Sequence, residues 1–273
     1  MYICVYSHLN NKARSVNSWM CYICPMKKFN NRLENTKLWI FDADDTLWES
    51  GLYFRRAEND FAALMHSLGF EPSEIISEIH TRDLERLSVT GYGARPYMSV
   101  LRSMIEDKVN NPTTYMLRAL DDIAYSLLHH PLVLLPGVLS SITRMHASGK
   151  RMIVYTMGEK DHQTDKFKRS GISKFFENCT VVPVKTEQTM KQLLASTGTT
   201  PGEACMIGNS PRSDINPAIG CGVNALYVQR PLTWQAEQIE FVEPELVITV
   251  ADLTEVLPLA GLGRIDPALL TEG

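Results

Sequence analysis

Two hydrophobic patterns alternate along the chain. Short, predominantly apolar runs occur at 38–41, 152–155, 180–184, 204–207, 223–228 and 246–250. Runs of that length without polar alternation predict strands covered on both faces, the habit of parallel sheets. Between them lie stretches with helical spacing, at 138–146, at 161–170 closed by Gly171, and at 186–196 closed by Gly198. Strands that alternate with helices predict β-α-β units and an α/β fold built on a doubly wound parallel sheet. Ligands of such sheets bind beyond the carboxyl ends of the strands.

The interval from 51 to 130 breaks this rhythm. Ala57, Phe61, Leu64, Met65 and Leu68 recur at helical spacing, as do Ile75, Ile76 and Ile79, then Val100, Leu101, Met104 and Ile105, then Leu120, Ile123, Ala124, Leu127 and Leu128. No strand pattern interrupts them. The expectation is an all-helical insertion over 51–130, with the core domain formed by 37–50 and 131–273 and re-entered through Pro131 and Pro136-Gly137. Residues 1–36 lack periodicity and are read as an extension outside the fold, within which Met26 is a candidate start.

Composition narrows the function more than the fold. The 273 residues, 44% hydrophobic and 21% charged, suit a globular core with one smaller module. A net charge of −4 provides no basic field for nucleic acid or an anionic membrane. The amino-terminal stretch has no sustained apolar run, so neither a signal peptide nor a membrane span is expected, and the reading is cytoplasmic. A small diffusible partner fits best, and a homodimer remains open. Of the six cysteines, Cys179, Cys205 and Cys221 lie in or beside apolar runs and read as reduced core residues. Cys21 and Cys24, with Cys4 and His8 nearby, outline half a zinc site, but no second pair at finger spacing follows.

The chemistry concentrates at strand ends. Phe41-Asp42-Ala43-Asp44-Asp45-Thr46 places two carboxylates one residue apart directly after a buried strand. Alone, such acids are commonly turn formers. Here they are accompanied by Thr156 after the second apolar run, Lys185 after the third, and Gly208-Asn209-Ser210-Pro211-Arg212-Ser213-Asp214 after the fourth. Thr156 has an alternative as a helix cap, and Lys185 as a solvated residue, although a cation is disfavoured at a helix start. Lys191, inside a helix, is the weaker candidate for the cation.

Together these residues resemble the haloacid dehalogenase-like superfamily, over nearly all of 37 to about 250. Its four motifs are a strand with D-x-D-x-T, a strand ending in Ser or Thr, a lysine, and a strand followed by Gly and acids. The resemblance implies a helical cap inserted after the first motif, as in its phosphoglycolate phosphatase-like members. It also implies Mg²⁺ held by Asp42, the Asp44 carbonyl, Asn209 and Asp214. Asp42 is then the nucleophile toward phosphorus, and Asp44 the acid and base. Thr156, the amides of Met157 and Gly158, and Lys185 are expected to bind the phosphoryl group. Where the motif usually reads Gly-Asp this chain has Gly208-Asn209, which removes one negative charge from the metal site and leaves Asp214 as its principal acid.

The implied activity is hydrolysis of a small phosphorylated metabolite. Alternatives are a 2-haloacid dehalogenase, a sugar phosphomutase and a catalytically silent ligand-binding member. Dehalogenases lack the second acid, since halide leaves without a proton, so Asp44 favours the phosphatase. In the insertion, Thr90-Gly91-Tyr92-Gly93-Ala94-Arg95 forms a loop from which Tyr92 and Arg95 are candidate substrate contacts.

Overall fold

The computed structural model describes residues 33–264. Six strands, β1 (Leu38–Phe41), β2 (Arg151–Met157), β3 (Cys179–Val182), β4 (Ala204–Gly208), β5 (Asn224–Val228) and β6 (Val247–Val250), form one sheet in the order β3-β2-β1-β4-β5-β6. Every pairing is parallel. All six expected strands are present, within two residues of the expected limits. β3 stops before Pro183, which has no N–H to give to a ladder.

β1 is the centre of this architecture. Leu38–Phe41 pairs with Arg151–Val154 on one side and Ala204–Ile207 on the other, and all four residues are fully buried. Trp39 and Phe41 pack on one face with α5 (Val138–Ala147), through Val138, Ile142 and Met145. Leu38 and Ile40 pack on the other with Met190, Leu193 and Leu194 of α7 (Glu187–Thr197). Two covered faces explain why no alternating polar positions appear in the strand. Leu33, four residues ahead of the expected domain start, already packs into the first of these cores.

Between β1 and β2 lie α1 (Gly51–His66), α2 (Pro72–Thr90), α3 (Ala94–Lys108) and α4 (Thr114–Leu128). Their apolar stripes meet one another around Phe61, Met65, Ile79, Leu101 and Leu120, forming a core separate from those of the sheet. The outgoing and returning chains run side by side, with Leu135 N–H on the Leu47 carbonyl at 3.0 Å and Glu49 N–H on that of Val133 at 2.9 Å. On the core side, α6 (Lys160–Arg169) follows β2. A wide turn (Pro211–Ile215) and the short α8 (Asn216–Gly220) follow β4; the sequence pattern did not indicate this turn.

Strands β2 and β3 extend from β1 in one direction and β4 to β6 in the other. The chain reverses between β1 and β4, so a crevice opens beyond their carboxyl ends, at Asp42 and Asn209. No helix among the described residues is long and apolar enough to cross a membrane. Cys179, Cys205 and Cys221 are unpaired, whereas Cys4, Cys21, Cys24 and His8 fall outside the described residues. Because Ile40 is sealed between the sheet and α7, Ile40→Ala is expected to cost ~2–5 kcal/mol, read from the urea midpoint.

Candidate active site

The sharp turn after β1 is built from the chain's own polar groups. Asp42 N–H still donates to the Ile207 carbonyl at 2.9 Å, and Leu47 N–H then folds back to that of Ala43 at 2.8 Å. Asp45 takes a left-handed conformation, φ 60°, which an Asp tolerates better than most side chains. Its carboxylate accepts from the N–H groups of Ser50 and Gly51, at 2.9 and 3.0 Å, and so holds the start of α1. Burial pushes that carboxyl up to about 6, against the pull of those two bonds.

This turn directs Asp42 into the crevice. Its Oδ1 accepts from Lys185 Nζ at 2.5 Å, and its Oδ2 lies 3.0 Å from the Thr46 hydroxyl, which is also 3.2 Å from Asn209 Oδ1. Lys185 reaches Asp214 Oδ1 at 2.6 Å as well. Lys185 is buried, as are both acids. Thr186, the next residue, caps α7 by accepting from Thr189 N–H at 3.2 Å, which fixes where the lysine leaves the backbone. Burial raises the proton affinity of Asp42 and Asp214, with a further rise from the charge of Asp44 on the first and of Asp42 on the second, against the pull of the one ammonium they share. Lys185 remains charged because its two carboxylates outweigh its own desolvation.

Asp214 lies flat against the main chain. Its Oδ2 accepts from Ser210 N–H at 3.0 Å, and a Cβ on Gly208 would stand 2.2 Å from that oxygen. Glycine is therefore required at 208 for the acid to reach the crevice. Ser210 in turn accepts from Ser213 N–H at 2.8 Å and donates to Glu237.

Asp44 points to a different cation. Lys166 Nζ of α6 lies 2.6 and 2.7 Å from its two oxygens, Gln163 Nε2 donates at 2.8 Å and Trp48 Nε1 at 2.7 Å. Burial works to raise this carboxyl, but the charge of Lys166 and the bonds from Gln163, Lys166 and Trp48 outweigh it and bring the group down to about 2. Nearby His162 is lowered to about 4, first by burial and then by Lys166. None of Lys166, Gln163 or Trp48 was indicated by the sequence. The helix KDHQTDKFKR is so polar that its two buried members look like its solvated ones.

A cavity of about 580 Å³ joins these groups to the helical insertion, with Phe54, Arg55, Tyr92 and Tyr97 on its far wall. Thr156 and Met157, at the end of β2, line it. Gly158 does not: its N–H donates to the Val182 carbonyl at 3.0 Å, so it is not free for a phosphoryl oxygen. Tyr92 lines the cavity with its ring edge-on to Trp234, centroids 6.0 Å apart. Arg95 lies outside the lining, bound to Glu159 at 2.8 Å. Among the described residues no three His, Cys, Asp or Glu side chains cluster as a metal site. The candidate donors are mixed: carboxylates of Asp42 and Asp214, the Asn209 amide oxygen and the Asp44 carbonyl.

Residues 36–222 match the family model of haloacid dehalogenase-like hydrolases. Among solved structures, a haloacid dehalogenase-like family hydrolase from Xanthomonas campestris is 27% identical, with a TM-score of 0.70 over 83% of this chain and 93% of that one. A 2-haloacid dehalogenase from Pseudomonas syringae pv. Tomato is 22% identical, with a TM-score of 0.57 over 83% and 98%. A phosphatase from Thermococcus onnurineus is 19% identical, with a TM-score of 0.55 over 84% and 100%. The last two likenesses concern the fold. No protein of curated function matches the chain in sequence.

Gly208→Ala should force Asp214 off the main chain and lower stability by ~1–3 kcal/mol, measured by urea denaturation. His162 supplies a pH test. Its folded value, about 4, lies below the ~6.5 of an unfolded histidine, so the unfolded chain protonates first and stability falls as pH drops through that window. His162→Gln should therefore melt relatively higher against wild type at pH ~4.5 than at pH ~7.5.

Proposed function

The chain belongs to the haloacid dehalogenase-like hydrolase family, and on that premise we propose that it hydrolyses a small phosphate monoester through a phosphoaspartate on Asp42. The observation that carries this reading is the Asp42 carboxylate held on Lys185 at the crevice, with a second acid, Asp44, two residues along the same turn. Asp42 attacks phosphorus as the ester P–O bond breaks, and water then attacks the phosphoaspartate, releasing orthophosphate and restoring the carboxylate. Lys185 offsets the negative charge that would otherwise separate a carboxylate from a phosphoryl group. The Thr156 hydroxyl, at the strand end beside them, is the donor for a phosphoryl oxygen.

Asp44 is assigned the protons. Its ionised resting form suits the second step, in which it accepts a proton from the attacking water. The first step needs its protonated form, and the negative charge of a bound phosphoryl group beside it raises its proton affinity. A leaving alkoxide needs that proton and a leaving halide does not, so this second acid favours a phosphate ester over a haloacid.

The donor set fits a hard cation. It is all oxygen, and the single positive charge of Lys185 is shared between two buried carboxylates. Mg²⁺ bound by Asp42, Asp214, Asn209 and the Asp44 carbonyl would supply further positive charge to the phosphoryl oxygens. The four-helix insertion acts as the cap: it closes the cavity over the leaving group and selects the substrate among small phosphorylated metabolites.

p-Nitrophenyl phosphate should be hydrolysed, with activity lost in EDTA and restored by Mg²⁺. Asp42→Asn should lower kcat by at least ~10³, and Asp214→Ala should raise the Mg²⁺ concentration needed. A fully active Asp42→Asn protein, or metal-free halide release from 2-chloropropionate, would overturn the assignment.

A further inference from the structure

Lys166 is out of place on its own helix. Lys160, Asp161, Lys168 and Arg169 of α6 are exposed, whereas the Lys166 side chain is 3% exposed. Burying an ammonium is costly unless it is paired and hydrogen-bonded, and the polar partners of this one are the two oxygens of Asp44, at 2.6 and 2.7 Å. Gln163, one turn earlier on the same face, donates to Asp44 Oδ2 at 2.8 Å and to the Met157 carbonyl at 3.0 Å, tying the helix to the end of β2. Trp48 grips Asp44 Oδ1 at 2.7 Å from another segment. Rotation of the carboxylate therefore requires breaking contacts to three side chains.

Lys166 does not line the cavity, while Asp44 and Gln163 do. Lys185 and Lys166 thus divide the three acids of the site between them: Lys185 serves Asp42 and Asp214, and Lys166 serves Asp44. We propose that Lys166, with Gln163 and Trp48, is a positioning residue that holds Asp44 in the orientation from which it handles the leaving group. Lys166 acts through Asp44 and makes no contact with substrate. The proposal rests on the phosphatase reading, and its signature is a dependence on leaving-group basicity.

The experiment uses the whole protein with Mg²⁺ and p-nitrophenyl, phenyl and p-methoxyphenyl phosphate, the first with a weakly basic leaving group and the other two with strongly basic ones. kcat/KM is measured for wild type, Lys166→Met, Lys166→Arg, Gln163→Leu and Asp44→Asn. The ratio of phenyl to p-nitrophenyl activity should fall at least ~tenfold in Lys166→Met, in the same direction as Asp44→Asn, as expected when general acid help worth ~10²–10⁴ is impaired. Lys166→Arg should recover part of it. Gln163→Leu, which removes a donor but no charge, should shift the ratio in the same sense and decides the matter if Lys166→Met does not fold. An equal loss on every ester would show a structural role only, and an unchanged or raised ratio would also overturn the proposal. Separately, no turnover of any ester by wild type, or an Asp44→Asn ratio equal to that of wild type, would sink the reading of the site itself.

Discussion

The ammonium of Lys185 sits between two buried carboxylates, and the rest of the site is arranged around that contact. Asp42 directly follows β1, Asp214 lies in the wide turn after β4, and Lys185 comes from the stretch after β3. Without the cation, two carboxylates this deeply buried would hold protons, and neither would be a nucleophile or a metal ligand at neutral pH. Without the carboxylates, the ammonium would be a buried charge with no partner. Each group is therefore tolerated only in the presence of the others. The parallel sheet provides this by ending β1, β3 and β4 at one edge.

Near this contact lies a second ion pair with a different purpose. Asp44 is two residues from Asp42, yet its partners are Lys166, Gln163 and Trp48. The two acids of one turn are thereby held in separate electrostatic environments: Asp42 is raised by burial, whereas Asp44 is brought down to about 2. Separation of that kind lets neighbouring carboxylates take different roles, as nucleophile and as proton carrier. The cap completes the arrangement from above. Its helices build their own core, and Tyr92 reaches across the cavity to Trp234.

The architecture was readable because it depends on local pattern. A strand buried on both faces has to be apolar at every position, and a helix packed on one side has to repeat its apolar residues at three and four, so all six strands and the long helices leave direct traces in the residue order. The site was readable in part for the same reason. Asp42, Thr156, Lys185 and Asn209 follow apolar runs, and strand ends are where such a sheet presents its chemistry. The amide of Gly158 could not be assigned this way, because its engagement with Val182 depends on the neighbouring strand. Arg95 is similar: the residue order suggested a loop, whereas the structure puts it in the first turn of α3, and nothing in its neighbours shows that Glu159 of the core will take it.

What the residue order determined by itself is the class of fold, the helical insertion and the run of acids, hydroxyl and lysine that marks the chemistry. What only the tertiary structure decided is which charge meets which. Lys166 and Lys160 stand on the same polar helix, and nothing in their immediate neighbours distinguishes the buried one from the exposed one. The difference arises from Asp44, more than a hundred positions away in the chain, because pairing of charges is set by distance in space while hydrophobic periodicity is set by position along the backbone.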